Sequence, residues 1–181
     1  KYYLQININD IECHFMNRPL RHEAADGWYH VINRGAARRH IFINDYFKFL
    51  FLKLLEATVQ KYKFNIYSFC IMGNHYHLLV ETSKENLSGY MRHINANYAI
   101  YFNKKYKRSG HLWQGRFKFW HVTDEAYLYA LVAYIEYNPI KAKIISKLGE
   151  YKYSSYLAFS EQKEVISCLK ASFVFTMFKD V

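Results

Sequence analysis

Residues 64–81 (FNIYSFCIMGNHYHLLVE) restrict the fold more than any other segment of the chain. They are rich in β-branched and aromatic residues, and Gly73-Asn74 between them is a turn signal. The pattern predicts two strands, 64–72 and 75–81, that pair as a hairpin. A chain of 181 residues fits one domain, or one domain with an accessory tail, and its hydrophobic content of 51% supports a core.

The segments around this hairpin alternate between strand and helix patterns. Residues 27–35 and 116–122 alternate apolar and polar side chains, as half-buried strands do. Residues 44–63, 83–107 and 123–139 carry apolar side chains at helical spacing behind capping residues. The order β-α-β-β-α-β-α contains the split βαβ pattern of ferredoxin-like folds. We therefore predict an α+β fold with a four-stranded antiparallel sheet, helices on one face, a third helix that carries the site, and a helical C-terminal tail.

Charge and cysteine content narrow the class of protein. The formal net charge is +10 and the pI about 9.4, which favours a polyanionic partner, although a basic surface also serves solubility alone. Cys13, Cys70 and Cys168 are odd in number and scattered, which indicates no disulfide framework and favours a reducing cytoplasm. We expect no membrane association, because no run of about 18 uncharged apolar residues and no leader pattern occurs.

Two histidines in the second strand of the hairpin form a candidate metal site. In a strand, His75 and His77 point to the same face, with Cα atoms about 6.6 Å apart. Two imidazoles at that spacing can share one cation, whereas a helix would place them roughly 200° apart. The alternative is a pair of half-exposed histidines on the open face of a sheet, without a metal.

The segment YIEYNP (134–139) supplies a possible reactive group and a third ligand. Tyr134 and Asn138 are four residues apart and share one helix face. Pro139 disfavours helical geometry at Asn138, so we expect the helix to fray or stop there and to free the carboxamide. Other tyrosines of the predicted helix 123–139 are rival candidates: Tyr127, Tyr129 and Tyr137.

Several stretches together resemble a known family. They are YHVINRGAARRHIF (29–42), MGNHYHLLVE (72–81), GHLWQGRF (110–117), YIEYNPIKAKII (134–145) and YKYSSY (151–156). In this order and spacing the chain resembles the single-tyrosine HUH transposases, most closely the REP-associated tyrosine transposases of bacteria. The likeness covers about residues 16 to 160.

The resemblance implies roles for individual residues. His75 and His77 would be metal ligands, Asn138 the third ligand and Tyr134 the nucleophile. The implied cofactor is Mg²⁺ or Mn²⁺, and Zn²⁺ also suits these ligands. The middle residue of the motif is usually aliphatic in the family, whereas here it is Tyr76.

The implied reaction is cleavage and rejoining of single-stranded DNA through a 5′-phosphotyrosine link, as in DNA transposition and REP hairpin processing. The expected partner is single-stranded or hairpin DNA, held by basic residues: Arg34, Arg38, Arg39, Lys104, Lys105, Lys107, Arg108, Arg116 and Lys118. The resemblance allows a monomer or a homodimer. His30 and His121 are interpreted as structural, and 110–117 as a loop that shapes the DNA path or packs as a turn.

The implied organisation has three parts: a peripheral extension (1–15), a catalytic domain (16–145) and a tail packed on it (146–181). Two other functions remain open. A non-catalytic nucleic-acid-binding protein on a ferredoxin-like sheet would bind oligonucleotides without metal. A metal-dependent hydrolase that uses water would survive the substitution Tyr134→Phe.

Overall fold

The computed structural model describes residues 23–160 and 166–177. The predicted extension 1–15 lies outside these residues. The elements in chain order are β1 (Gly27–Arg34), a 3₁₀ turn (Ala36–Arg38), α1 (Asp45–Tyr62), β2 (Phe64–Ile71), β3 (His75–Thr82), α2 (Leu87–Lys105), β4 (Lys118–Val122), α3 (Glu125–Lys141), α4 (Tyr156–Ser160) and α5 (Ala171–Met177). The predicted order of strands and helices is confirmed.

The four strands form one antiparallel sheet in the order β2-β3-β1-β4. β2 and β3 are joined by a tight connection in which the Met72 N–H donates to the His75 carbonyl, at 2.8 Å. β1 lies between β3 and β4, as the split βαβ pattern requires. The predicted fold class is therefore confirmed.

Helices cover both faces of the sheet. α1 and α2 pack on one face through aromatic side chains, among them Phe51, which contacts Tyr76 of β3, and Tyr98, which contacts Phe51. α3 crosses the opposite face, where the Glu136 carboxylate meets the Ser68 hydroxyl of β2. None of the described helices combines the length and the apolar content that crossing a membrane requires.

The tail is attached to the free edge of the sheet. Ile71 donates its N–H to the carbonyl of Tyr153 at 2.9 Å, and Ser155 donates its N–H to the carbonyl of Phe69 at 3.0 Å. Further along, Lys170 donates its N–H to the Ile66 carbonyl at 2.8 Å. The described part of 146–181 therefore pairs with β2. The three-part division of the chain stays a prediction.

Side-chain caps begin two of the three long helices. Asn44 Oδ1 accepts from the Phe47 N–H, and Asp124 Oδ1 accepts from the Tyr127 N–H at 2.8 Å. α2 begins at Leu87, later than the predicted residue 83, after Asn86 in a position without a side-chain cap bond. The Asp124 cap sets where α3 starts, and α3 carries the candidate nucleophile.

We expect Asp124→Ala to lower the free energy of unfolding by about 1 kcal/mol, because it removes the acceptor for an N–H group at the start of α3. Chemical denaturation followed by circular dichroism measures the loss. Asp124→Asn keeps a side-chain oxygen and is the matched control. An Ala variant as stable as the Asn variant would contradict the capping role.

Candidate active site

His75 and His77 lie on β3, and their side chains face α3. Their ring centroids are 5.1 Å apart. Tyr76 between them points to the other face, where its hydroxyl donates to Asn95 Oδ1 at 3.1 Å. His77 is only 3% exposed, and His75 is half-buried. The same-face geometry that the strand pattern predicted is therefore present.

Both rings are held through Nδ1. His75 Nδ1 lies 2.6 Å from the carboxamide oxygen of Asn74, which only accepts, so His75 carries its proton on Nδ1 and a lone pair on Nε2. His77 Nδ1 lies 3.0 Å from Nε2 of His30. When His77 donates in this pair, its Nε2 also carries a lone pair. Two imidazoles fixed in this way are suited to bind one cation.

All three histidines are neutral at pH 7. Burial lowers the pKa of His30 to about 4. Burial, followed by the charge of Arg34, lowers the pKa of His75 to about 4. Burial and the two neighbouring histidines hold the pKa of His77 well below its usual value. Since the neutral imidazole is the form that ligates metals, the site is ready for a cation without losing protons first.

Tyr134 of α3 lies beside these histidines. Its ring centroid is 5.4 Å from that of His77 and 6.0 Å from that of His30, both with edge-to-face orientation. Lys141 Nζ lies 5.6 Å from the centre of the same ring. Burial raises the pKa of Tyr134, although Asn138 opposes the shift. The phenol is therefore neutral at pH 7.

The rival tyrosines occupy other positions on the helix. Tyr137 is 51% exposed, and Tyr129 donates its hydroxyl to Glu125. Tyr127 is half-buried near the start of α3. Within the described part of the chain, the recorded ring contacts between α3 and His77 involve Tyr134.

The prediction that the helix stops at Asn138 is wrong. α3 continues through Pro139 to Lys141. Proline has no N–H, so the carbonyl of Ile135 loses its usual helical donor. Asn138 Nδ2 instead donates to the Tyr134 carbonyl at 2.7 Å and approaches the Ile135 carbonyl at 3.5 Å. The short bond of the Asn138 side chain is therefore to the Tyr134 carbonyl, and the Ile135 carbonyl receives only the longer approach.

This bond also orients the Asn138 carboxamide. Nδ2 is directed to the helix backbone, so Oδ1 is the atom of Asn138 that could ligate a cation. Among the described residues, no three His, Cys, Asp or Glu side chains form a group that could hold a metal. A cation beside His75 and His77 therefore depends on an amide oxygen, water or substrate oxygen to complete its ligands.

The predicted DNA-binding residues fall into separate groups. Arg34 ends β1 opposite His75, and Lys118 pairs with Ile32 on the same sheet face. The backbone of exposed Arg38 is bound by the Asn74 side chain, which places it near His75. The other predicted DNA-binding residues are also exposed. They lie in the turn that holds Arg38, in the 110–117 loop or at the end of α2: Arg39, Arg116, Lys104, Lys105, Lys107 and Arg108.

Sequence reasoning missed two residues of this site. His30 was interpreted as structural, yet its ring is 5% exposed and contacts both His77 and Tyr134. Glu136, two residues after Tyr134, received no role. Its presence in an otherwise apolar helix was the only signal, because its partners come from distant segments.

Glu136 anchors the helix that carries Tyr134. It is 4% exposed, and its Oε1 accepts from the Ser68 hydroxyl at 2.8 Å and from the Ser155 hydroxyl. Ser68 belongs to β2, and Ser155 to the YKYSSY segment of the tail. Burial raises the pKa of Glu136 to about 7, although the bonds from Ser155 and Ser68 lower it. One carboxyl group thus joins α3, the sheet and the tail.

Comparison with known proteins finds the following likenesses. A sequence model of the family described as IS200-like transposases matches residues 24–138. A Haemophilus influenzae protein named as a REP-associated tyrosine transposase is 28% identical over 131 residues, which cover 66% of this chain and 73% of that protein. A solved REP-associated tyrosine transposase bound to a REP hairpin superposes with a TM-score of 0.68 at 15% identity, covering 86% of this chain and 98% of the other. The last likeness is one of fold.

We expect Glu136 to add a downward slope to stability between about pH 4.5 and about pH 7, because the folded carboxyl keeps its proton over this range while the unfolded chain releases it. The lowered pKa values of His30, His75 and His77 act in the opposite direction over part of the same range. The Glu136 slope is therefore read as the difference between the unmodified chain and a variant. The size of the effect is at most about 3 kcal/mol. Glu136→Gln, which mimics the protonated acid, should remove this slope. Denaturant midpoints measured across the pH range test it, and an unchanged slope in the variant would contradict the assignment.

Proposed function

Since this chain belongs to the IS200-like transposase family, as its motifs predicted, we propose that it cleaves and rejoins single-stranded DNA with Tyr134 as the nucleophile. Membership makes the chain a transposase of the tyrosine class. The observation that carries the proposal is the approach of Tyr134 to His77, at 5.4 Å between ring centroids. A phenol and a candidate metal ligand thus meet in one chain.

The residues present fit a divalent cation. His75 and His77 would offer Nε2 and Asn138 its Oδ1, with Mg²⁺ or Mn²⁺ as the proposed ion. When bound, such an ion polarises the phosphodiester and offsets charge that develops in the transition state. His30 and Asn74 contribute by holding the two rings in one orientation.

In the proposed reaction, Tyr134 Oη forms a bond to phosphorus while the bond from phosphorus to the 3′ oxygen breaks. The phenol proton is lost to water, and the departing 3′ oxygen takes up a proton to become a 3′-OH. A later 3′-OH attacks the phosphotyrosine, rejoins the strand and returns the phenol. The covalent link keeps the energy of the phosphodiester between these two steps.

Burial of Tyr134 works against its own ionisation, so the site needs positive charge close to the ring. Lys141 supplies one cation over the ring face. Its contact with the ring places a positive group on the same helix face as the nucleophile. The proposed divalent ion would supply the rest.

The proposed substrate is single-stranded or hairpin DNA. The solved relative is bound to a REP hairpin, and this chain carries a net charge of +10. Arg34, Arg38 and Lys118 are grouped around the end of β1 near His75, where they can receive phosphates. We propose that one chain suffices for cleavage, because Tyr134 already meets His77 of the same chain.

We expect Tyr134→Phe to abolish a denaturation-resistant protein–DNA band, because the phenol oxygen that forms the bond is missing. The band is measured after incubation with a hairpin-bearing single-stranded oligonucleotide and Mn²⁺. Tyr137→Phe, an exposed position on the same helix, should leave the band intact.

The outcomes separate the three functions. A band lost with Tyr137→Phe would move the nucleophile to that residue. Cleavage that survives Tyr134→Phe would indicate a hydrolase that uses water. Binding without metal and without any band from the unmodified chain would indicate a non-catalytic DNA-binding protein.

We expect His30→Phe to weaken Mn²⁺ binding by about 10- to 100-fold, because it removes the ring nitrogen that bonds to His77 Nδ1 and orients that ring, while keeping a buried ring in place. Electron paramagnetic resonance of free Mn²⁺ measures the affinity without any reaction. His121→Phe, at an exposed position of β4, is the control. Equal affinities in the two variants would refute the role of His30.

A further inference from the structure

A cleft of about 960 Å³ lies between α2 and the loop 110–117. It opens on the side of the sheet that α1 and α2 cover, so it is separate from the pair His75 and His77. Asn33, which lines it, pairs across the strands with Tyr76 and shares that face. The volume is within the range of about 300–1,000 Å³ in which small organic ligands bind.

The lining of the cleft suits an anion with an apolar part. Arg92 on the helix side and Arg116 on the loop side are both exposed. None of the described residues that line the cleft is acidic, although the Glu23 carboxylate accepts from the N–H of Ser88, which lines it. On the helix side, Ala96 and Ala99 line the cleft with small side chains. Trp113 adds an aromatic surface, and its Nε1 is tied down by the Asn95 carbonyl at 2.9 Å.

Asn95 gives the cleft an unused donor. Its side chain is 7% exposed, and its Oδ1 accepts from the Tyr76 hydroxyl. Its Nδ2 has no hydrogen-bond partner among the described residues. A buried donor left in this state is costly, and a ligand with an acceptor atom would relieve the cost. Nδ2 is covered by neighbouring atoms, so a ligand reaches it only when a neighbouring side chain moves aside.

The cleft is connected to the candidate active site through one side-chain contact. Gln114 lines the cleft, and its Oε1 accepts from Nε of Arg34. Arg34 pairs with His75 across β1 and β3, and its charge lowers the pKa of His75. A polyanionic strand that leaves the cleft beside Gln114 therefore meets Arg34 before it reaches the histidines.

We propose that this cleft binds one unpaired nucleotide of the same DNA strand that carries the reacting phosphate. The base lies against Trp113 and presents an acceptor to Asn95, and the adjoining phosphates lie near Arg92 and Arg116. An inserted base can stack on an aromatic side chain, and this contact adds to the affinity. The proposal rests on the proposed function, because it takes DNA as the substrate.

The first test fills the cleft. Ala96→Trp adds a large side chain at an exposed helix position that lines it, and Ile100→Trp adds the same side chain on the same helix outside it. Affinity is measured by fluorescence anisotropy with a fluorescein-labelled, mixed-sequence single-stranded oligonucleotide. The first variant alone should bind at least about fivefold more weakly than the unmodified chain. Unchanged affinity, or an equal loss in both variants, would overturn the proposal.

A second pair of variants tests the cleft in case the Ala96→Trp variant does not fold. Arg92→Gln removes a charge at the cleft, and Lys61→Gln removes a charge from exposed α1 away from it. The first should weaken binding more than the second at the same salt concentration, since both lose one charge overall. Equal effects would show that net charge alone attracts the DNA.

An abasic scan tests the insertion of a base. Oligonucleotides that each lack one base are bound to the unmodified chain and to the Ala96→Trp variant. At one position, removal of the base should weaken binding to the unmodified chain. The same removal should not weaken binding to the Ala96→Trp variant any further. A scan with no such position would overturn base insertion.

The covalent band separates this proposal from the proposed function. The Ala96→Trp variant could form the band and bind DNA as tightly as the unmodified chain. That outcome would leave the enzyme proposal standing and refute nucleotide binding in the cleft. Loss of affinity in Ala96→Trp, with no band from the unmodified chain under any metal, would support the cleft and refute the reaction.

Discussion

The pairing of β1 with β3 is the constraint on which the site depends. This register sets Ile32 opposite His77 and Arg34 opposite His75, so that His30 reaches the Nδ1 atom of His77. A slip of one residue would turn every β1 side chain to the other face and remove both His30 and Arg34 from the site. The pairing of β1 with β3 therefore holds the rings of His75 and His77 in place. It also provides the hydrogen-bond partner of His77 and positions the Arg34 guanidinium nearby.

The position of α3 depends on a second constraint, which lies on the far side of the helix from Tyr134. Glu136 is buried against Ser68 of β2 and Ser155 of the tail, and the tail itself pairs with β2 through Ile71 and Phe69. The segment YKYSSY is thus part of the support of the helix that carries Tyr134.

The candidate site is built of neutral groups, whereas the chain as a whole is strongly basic. The surface is strongly basic, whereas the centre is built of neutral groups: three imidazoles with lowered pKa values and a phenol with a raised one. Burial causes both shifts, because it disfavours the charged form of each group. A neutral, partly buried centre inside a basic surface is suited to receive a cation and an anionic strand together.

The sequence by itself determined the order of the elements and the shared face of His75 and His77, because both follow from periodicities within single segments. It also placed Tyr134 and Asn138 one helical turn apart. Local rules failed at Pro139, where the helix continues and the Asn138 side chain bonds back to the Tyr134 carbonyl. The partners of His30 and Glu136, and the cleft beside Asn95, were decided only by the tertiary structure. Each of them joins segments far apart in the chain, and strand register and helix packing, not spacing along the sequence, bring those segments together.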